Sequence, residues 1–119
     1  MAMQEVKAPK LIQWQKQGEM VEGTFSSIEV ETLTDQTTHE QKNVRAFFFD
    51  LPDGNRCKIR ETADLTQKIQ PRHLGRKMII RYETDDTENQ KKGQSAMKIF
   101  KVLVDDKIAP GYEHLQPAA

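Results

Sequence analysis

The chain has 119 residues, a single cysteine, 18 basic and 18 acidic side chains, and a mean hydropathy of −0.75. That length suits one domain with one core, and no apolar run approaches the length needed to span a bilayer or to serve as a signal-peptide core, which points to a cytoplasmic protein without membrane contact. The lone Cys57 forms neither an internal disulfide nor a cysteine-based zinc site and reads as a small buried hydrophobe.

Residues 1–17 read as an N-terminal extension. It is polar and fraying at its start, with Leu11, Ile12 and Trp14 as a short apolar patch and the Trp14 ring packed against the end of the domain. Residues 19–31 form a long first strand. Val21, Gly23 and Phe25 share one face, whereas Ile28 and Val30 have the opposite parity, so a bulge is expected at Ser26-Ser27 and a close backbone approach at Gly23. A polar loop containing His39 follows.

Residues 44–60, VRAFFFDLPDGNRCKIR, read as two strands joined by a Pro52-Asp53-Gly54 turn. Successive side chains of a strand point to opposite faces, so Phe47, Phe48 and Phe49 cannot all be core. A type I turn with Gly54 as a bulge sets Phe49 opposite Cys57 and Asp50 opposite Arg56, buries Phe47 and Phe49, and exposes Phe48 beside Lys58. A two-residue Asp53-Gly54 turn exposes Phe47 and Phe49 instead. Proline ahead of Asp-Gly favours the first register. In either case an exposed ring stands beside the basic ladder of Arg56, Lys58 and Arg60.

Thr62 caps a short helix over residues 63–70, with Leu65 and Ile69 as its apolar stripe and Pro71 at its end. Residues 76–83 form a fourth strand and residues 96–104 a fifth. Between them lies a long polar loop holding Lys91 and Lys92. Residues 106–119 read as a flexible tail. The neutral total hides a basic middle, because residues 41–77 carry nine basic groups against four acidic ones.

The order is therefore β-β-β-α-β-β, all-β apart from one short helix between the third and fourth strands. This is the order of an OB-fold, a five-stranded Greek-key barrel, here spanning residues 18–105. Its second and third strands and two of its loops form the binding face. Aromatic rings beside cations on such a face suit a single-stranded nucleic acid, with bases on rings and phosphates on cations. Arg45, Arg56, Lys58 and Arg60 are the expected phosphate contacts. Phe48 is the expected stacking residue, or Phe47 and Phe49 in the other register, and Lys91 and Lys92 would close over the strand.

The segments GEMVEGTF, FFFDLPDGNRCKIRETADL, HLGRKMIIRYE and AMKIFKV, which cover most of residues 18–104, resemble those of small OB-fold single-stranded-DNA-binding proteins of bacteriophages and mobile elements. The resemblance implies non-enzymatic binding of single-stranded DNA with low sequence specificity. The chain departs from that pattern in its neutral charge. Its tail carries Asp105, Asp106 and Glu113 but lacks the strongly acidic, apolar-ended tip of bacterial single-stranded-DNA-binding proteins.

Other chemistries find little support in the residues. His39, His73 and His114 are scattered without metal-ligand spacing, Asp85, Asp86 and Glu88 lack the ligand series of a calcium loop, and the serine-containing segments lack a neighbouring histidine base. No metal, cofactor or catalytic residue is expected. The competing reading is a structural or protein-interaction barrel in which the exposed phenylalanine belongs to a homo-oligomer or partner patch.

Overall fold

The computed structural model describes residues 8–86 and 97–115. It is a mostly β structure with strands β1 (Lys10–Leu11), β2 (Met20–Thr34), β3 (Gln41–Asp50), β4 (Arg56–Arg60), β5 (Arg76–Asp86) and β6 (Met97–Ile108). A short helix α1 (Ala63–Lys68) and a 3-10 turn (Pro71–His73) separate β4 from β5, and a second 3-10 turn (Glu113–Leu115) follows β6. No helix among the described residues is long and apolar enough to cross a membrane.

The strands form one six-stranded sheet in the order β1-β4-β3-β2-β5-β6. All pairings are antiparallel except β1 on β4. The closed five-stranded barrel expected from sequence is thus corrected to an open sheet. Two features hold the edges apart. At the edge of β4 sits β1, with Lys10 opposite Cys57 and Leu11 opposite Lys58. At β6 the backbone of Phe100 is bonded by helix side chains: its N–H donates to Asp64 Oδ2 (2.8 Å) and its C=O accepts from Lys68 Nζ (2.5 Å). Backbone groups at a sheet edge need partners, and here α1 supplies them in place of a neighbouring strand.

The long β2 serves both halves of the sheet, pairing β5 through Met20–Thr24 and β3 through Thr24–Thr34. Its register slips between Phe25 and Ser27, as the parity change in the sequence requires. The extra residue lets Phe25 before the bulge and Ile28 after it both reach the core. Ser26 Oγ donates to the carbonyl of Phe48 (3.1 Å) across the bulge. At Gly23 a Cβ would stand 2.9 Å from the Asp50 carbonyl oxygen, so the bent strand can approach β3 only with glycine there.

The β3–β4 hairpin adopts the first of the two registers: Phe49 faces Cys57, Phe48 faces Lys58 and Asp50 faces Arg56. Gly54 has φ +87°, and its N–H donates to the Leu51 carbonyl (3.0 Å). Phe47 and Phe49 are fully buried with Phe25, Ile59, Cys57, Leu65, Ile69, Met78, Ile80 and Phe100. Phe25 stacks on Phe49 at 5.1 Å and meets Phe47 edge-on at 5.9 Å. Each such ring contributes about 1.5–3 kcal/mol by leaving water.

Thr62 caps α1, its Oγ1 accepting from Leu65 N (3.1 Å). Two segments differ from their sequence reading. In the N-terminal extension, Lys10–Leu11 joins the sheet and Ile12 and Trp14 pack on the core. The segment read as a flexible tail starts as strand, since β6 runs to Ile108. It is then fastened by Ala109 N to the Gly75 carbonyl (2.8 Å) and by Tyr112 Oη to Asp50 Oδ2 (2.6 Å).

Candidate nucleic-acid interface

Alternation along β4 turns Cys57 and Ile59 into the core and sends Arg56, Lys58 and Arg60 to the opposite face. The same alternation on β3 places Ala46, Phe48 and Asp50 on that outer face and Arg45 with Phe47 on the inner one. The structure therefore gathers Arg56, Lys58, Arg60 and Phe48 into one row and leaves Arg45 out of it. Arg45 lies over the edge of the core, its guanidinium carbon 5.7 Å from the Phe47 ring centre, and its Nε donates to Glu61 Oε2 (2.8 Å). Phe47 and Phe49 are core side chains and lie outside the row. Lys91 and Lys92 lie outside the described residues.

Phe48 is the main correction to the site. It is on the outer face as its register demands, yet it is only 7% exposed. The Arg56 guanidinium carbon stands 5.3 Å from the centre of its ring. That guanidinium is itself held by Asp50 (3.3 Å) and by the hydroxyls of Ser26 (3.3 Å) and Ser27 (3.4 Å). A cation over an aromatic face is a favourable contact, and here it roofs the ring that a base would stack on.

Glu31 also changes the electrostatics. It lies on the bulged half of β2, opposite Val44. Its carboxylate accepts from Lys58 Nζ (2.8 Å) and Arg60 Nε (3.4 Å). The hydrogen-bonded Lys58 ammonium is the main reason its carboxyl is held below the usual 4.5. Glu61 is lowered in the same way, chiefly by Arg45. The ladder is therefore not a bare basic stripe, because every cation assigned to it carries a carboxylate partner. Nothing in the local sequence marks Glu31, since it reaches the ladder across the β2–β3 pairing. Arg56 keeps 47% of its side chain exposed and Arg60 39%. Exposed pairs of this kind contribute roughly 0–1 kcal/mol each, little enough for a phosphate to compete with.

Two further features border the row. A cleft of about 600 Å³ lies between the N-terminal segment and the β3–β4 turn, lined by Lys10, Leu51, Asn55 and Arg56 among others. Where β4 ends, Trp14 packs edge-on against Phe100 at 5.1 Å, and Phe100 in turn sits 5.6 Å from Tyr82. The Tyr82 hydroxyl bonds Asp85, which raises the phenol pKa above its ordinary value. No group of three or more His, Cys, Asp or Glu side chains among the described residues is placed to hold a metal ion.

No protein-family model, no curated protein and no solved structure matches this chain.

Proposed function

We propose that the protein binds single-stranded nucleic acid, most readily DNA, without enzymatic activity and with little sequence preference. The observation that carries this reading is the single outer row of Arg56, Lys58 and Arg60 on β4, with Phe48 beneath Arg56. The spacing of alternate strand residues, about 6.6–6.8 Å, matches the reach of successive phosphates of a flexible single strand. The five longer strands are ordered as in an OB barrel opened along the seam between its third and fifth strands, which supports the same reading. In this mechanism phosphates displace Glu31 and Asp50 from the three cations. Arg56 then swings off Phe48, and the uncovered ring stacks on a base.

The test compares fluorescence anisotropy of a labelled oligo-dT with a labelled duplex at low salt, using the native chain and an Arg56→Ala/Lys58→Ala/Arg60→Ala variant. The reading expects binding of the single strand by the native chain, and its loss in the variant without loss of fold. Equal binding by both proteins would remove the ladder from the account.

One observation favours a second reading, a protein-interaction module. Met20 (57% exposed) and Leu103 (50% exposed) lie on the outer face of the sheet, Leu103 directly opposite Ile79 of β5 and Met20, opposite Arg81, one diagonal step from it. A small apolar row of this kind suits a protein partner or a second copy. Light scattering of the native chain and of Leu103→Glu separates the readings, since a dimer abolished by Leu103→Glu with oligonucleotide binding absent would support the second.

A further inference from the structure

The end of β4 carries a second polar feature. A cleft of about 290 Å³ opens where the N-terminal segment crosses the end of β4 and the start of β6, and Gln13, Trp14, Arg60, Thr62 and Lys98 line it. Its volume is at the low end of small-ligand sites, about 300–1,000 Å³, and corresponds to one nucleotide rather than a duplex.

The chemistry of the lining is uneven. Glu61, also on the wall, is neutralised by Arg45 at 2.8 Å. Arg60 uses its Nε on Glu31, which directs only one nitrogen of its guanidinium fork to that carboxylate. Lys98 Nζ lies 5.8 Å from the centre of the Tyr82 ring and, among the described residues, has no carboxylate within 4.0 Å. The cleft thus places beside an indole a partly committed guanidinium and a cation that has no carboxylate partner among the described residues. Trp14 adds an independent sign: its Nε1 is buried and has no hydrogen-bond partner among the described residues. An unpaired buried donor is unfavourable, so an incoming acceptor that reached the indole N–H would be favoured.

We propose that this cleft seats one nucleotide of the bound strand, with its phosphate between Arg60 and Lys98 and its base against Trp14. Arg60 belongs to both the ladder and the cleft, so the strand would run from Arg56 along β4 and end its contact at Trp14. This proposal rests on the nucleic-acid reading.

Trp14 is the only tryptophan, so its emission reports on the cleft alone. The full chain is titrated with an oligo-dT of about twelve nucleotides, within the site sizes of such domains, while anisotropy of the labelled oligonucleotide is followed in parallel. Quenching of Trp14 with the same midpoint as the anisotropy change is expected. Lys98→Gln, a change at a half-buried side chain outside the core cluster, should weaken binding about threefold to tenfold and reduce the quench. Trp14→Ala should weaken binding at least about fivefold, as loss of a stacking ring does. Oligonucleotide binding with unchanged Trp14 emission, and with unaltered affinity in Lys98→Gln, would overturn the cleft while leaving the ladder in place. Absence of any binding at low salt would remove both.

Discussion

Glu31 Oε2 accepts a hydrogen bond from Lys58 Nζ at 2.8 Å, and its other oxygen stands 3.4 Å from Arg60 Nε. One carboxylate on β2 therefore holds two of the three cations on which the proposed binding depends. Releasing them should help the ligand. Glu31→Gln is expected to tighten oligonucleotide binding about twofold to fivefold at low salt, the equivalent of one exposed ion pair. Anisotropy measures this directly, and weaker binding in Glu31→Gln would mean that Glu31 positions the ladder rather than competing for it.

Gly23 lies where β2 passes close against the end of β3. A methyl group there would sit 2.9 Å from Asp50 O, 3.2 Å from Phe49 Cβ and 3.3 Å from Leu51 Cδ2. Gly23→Ala should destabilise the protein by about 1–3 kcal/mol, the usual cost of forcing volume into a packed site. Urea unfolding at constant m-value would show it, and an unchanged midpoint would place the strands farther apart than described.

Asp64 carries the seam between α1 and β6. It is buried at 8% exposure and accepts from both Phe100 N and Lys68 Nζ. Asp64→Ala would strand a buried N–H, and a loss of about 2–4 kcal/mol is expected. It would also bare the β6 edge, so the variant should aggregate more readily on mild heating. Calorimetry together with light scattering tests both parts.

Burial pushes the Cys57 thiol up to about 11. At pH 8 the native thiolate is then roughly 100-fold scarcer than for a thiol at the ordinary 9.0. Reaction with a disulfide reagent should be slow in the native protein and fast in denaturant. Fast native labelling would show that the strand opens at Cys57.

Depressed carboxylates set the acid limb of stability. Glu31 and Glu61 have folded pKa values below their ordinary 4.5, held there by Lys58 and Arg45 respectively. The stability they contribute is complete above about pH 4.5 and is lost as pH falls through the lower folded values. Denaturant midpoints should therefore fall as pH drops below about 4.5. The drop should be shallower in Glu31→Gln/Glu61→Gln, and identical profiles would deny these pairs any part in it.

Local chemistry made much of this architecture readable. Pro52-Asp53-Gly54 determined the hairpin register through turn geometry, the parity change at Ser26-Ser27 announced the bulge, and Thr62 marked the start of α1. What escaped depends on distant pairings. The Asp64–Phe100 bond joins residues 36 apart and replaces a strand pairing at the seam. The two-residue β1 is too short to show a period. Glu31 reaches Lys58 only through the register of the β2–β3 arm, and the cover over Phe48 depends on where Arg56 lies. Parity therefore revealed which face Phe48 occupies, while its exposure depended on neighbours that parity does not report.

The most direct test of the central claim is the salt dependence of oligo-dT affinity. Three phosphate contacts from Arg56, Lys58 and Arg60 predict a slope of log K against log salt near −2, about −0.7 for each contact on a single strand. The slope should fall by about 0.7 in Arg56→Ala, with the same oligonucleotide and temperature. A slope near zero, or no binding at low salt, would contradict nucleic-acid binding by this face.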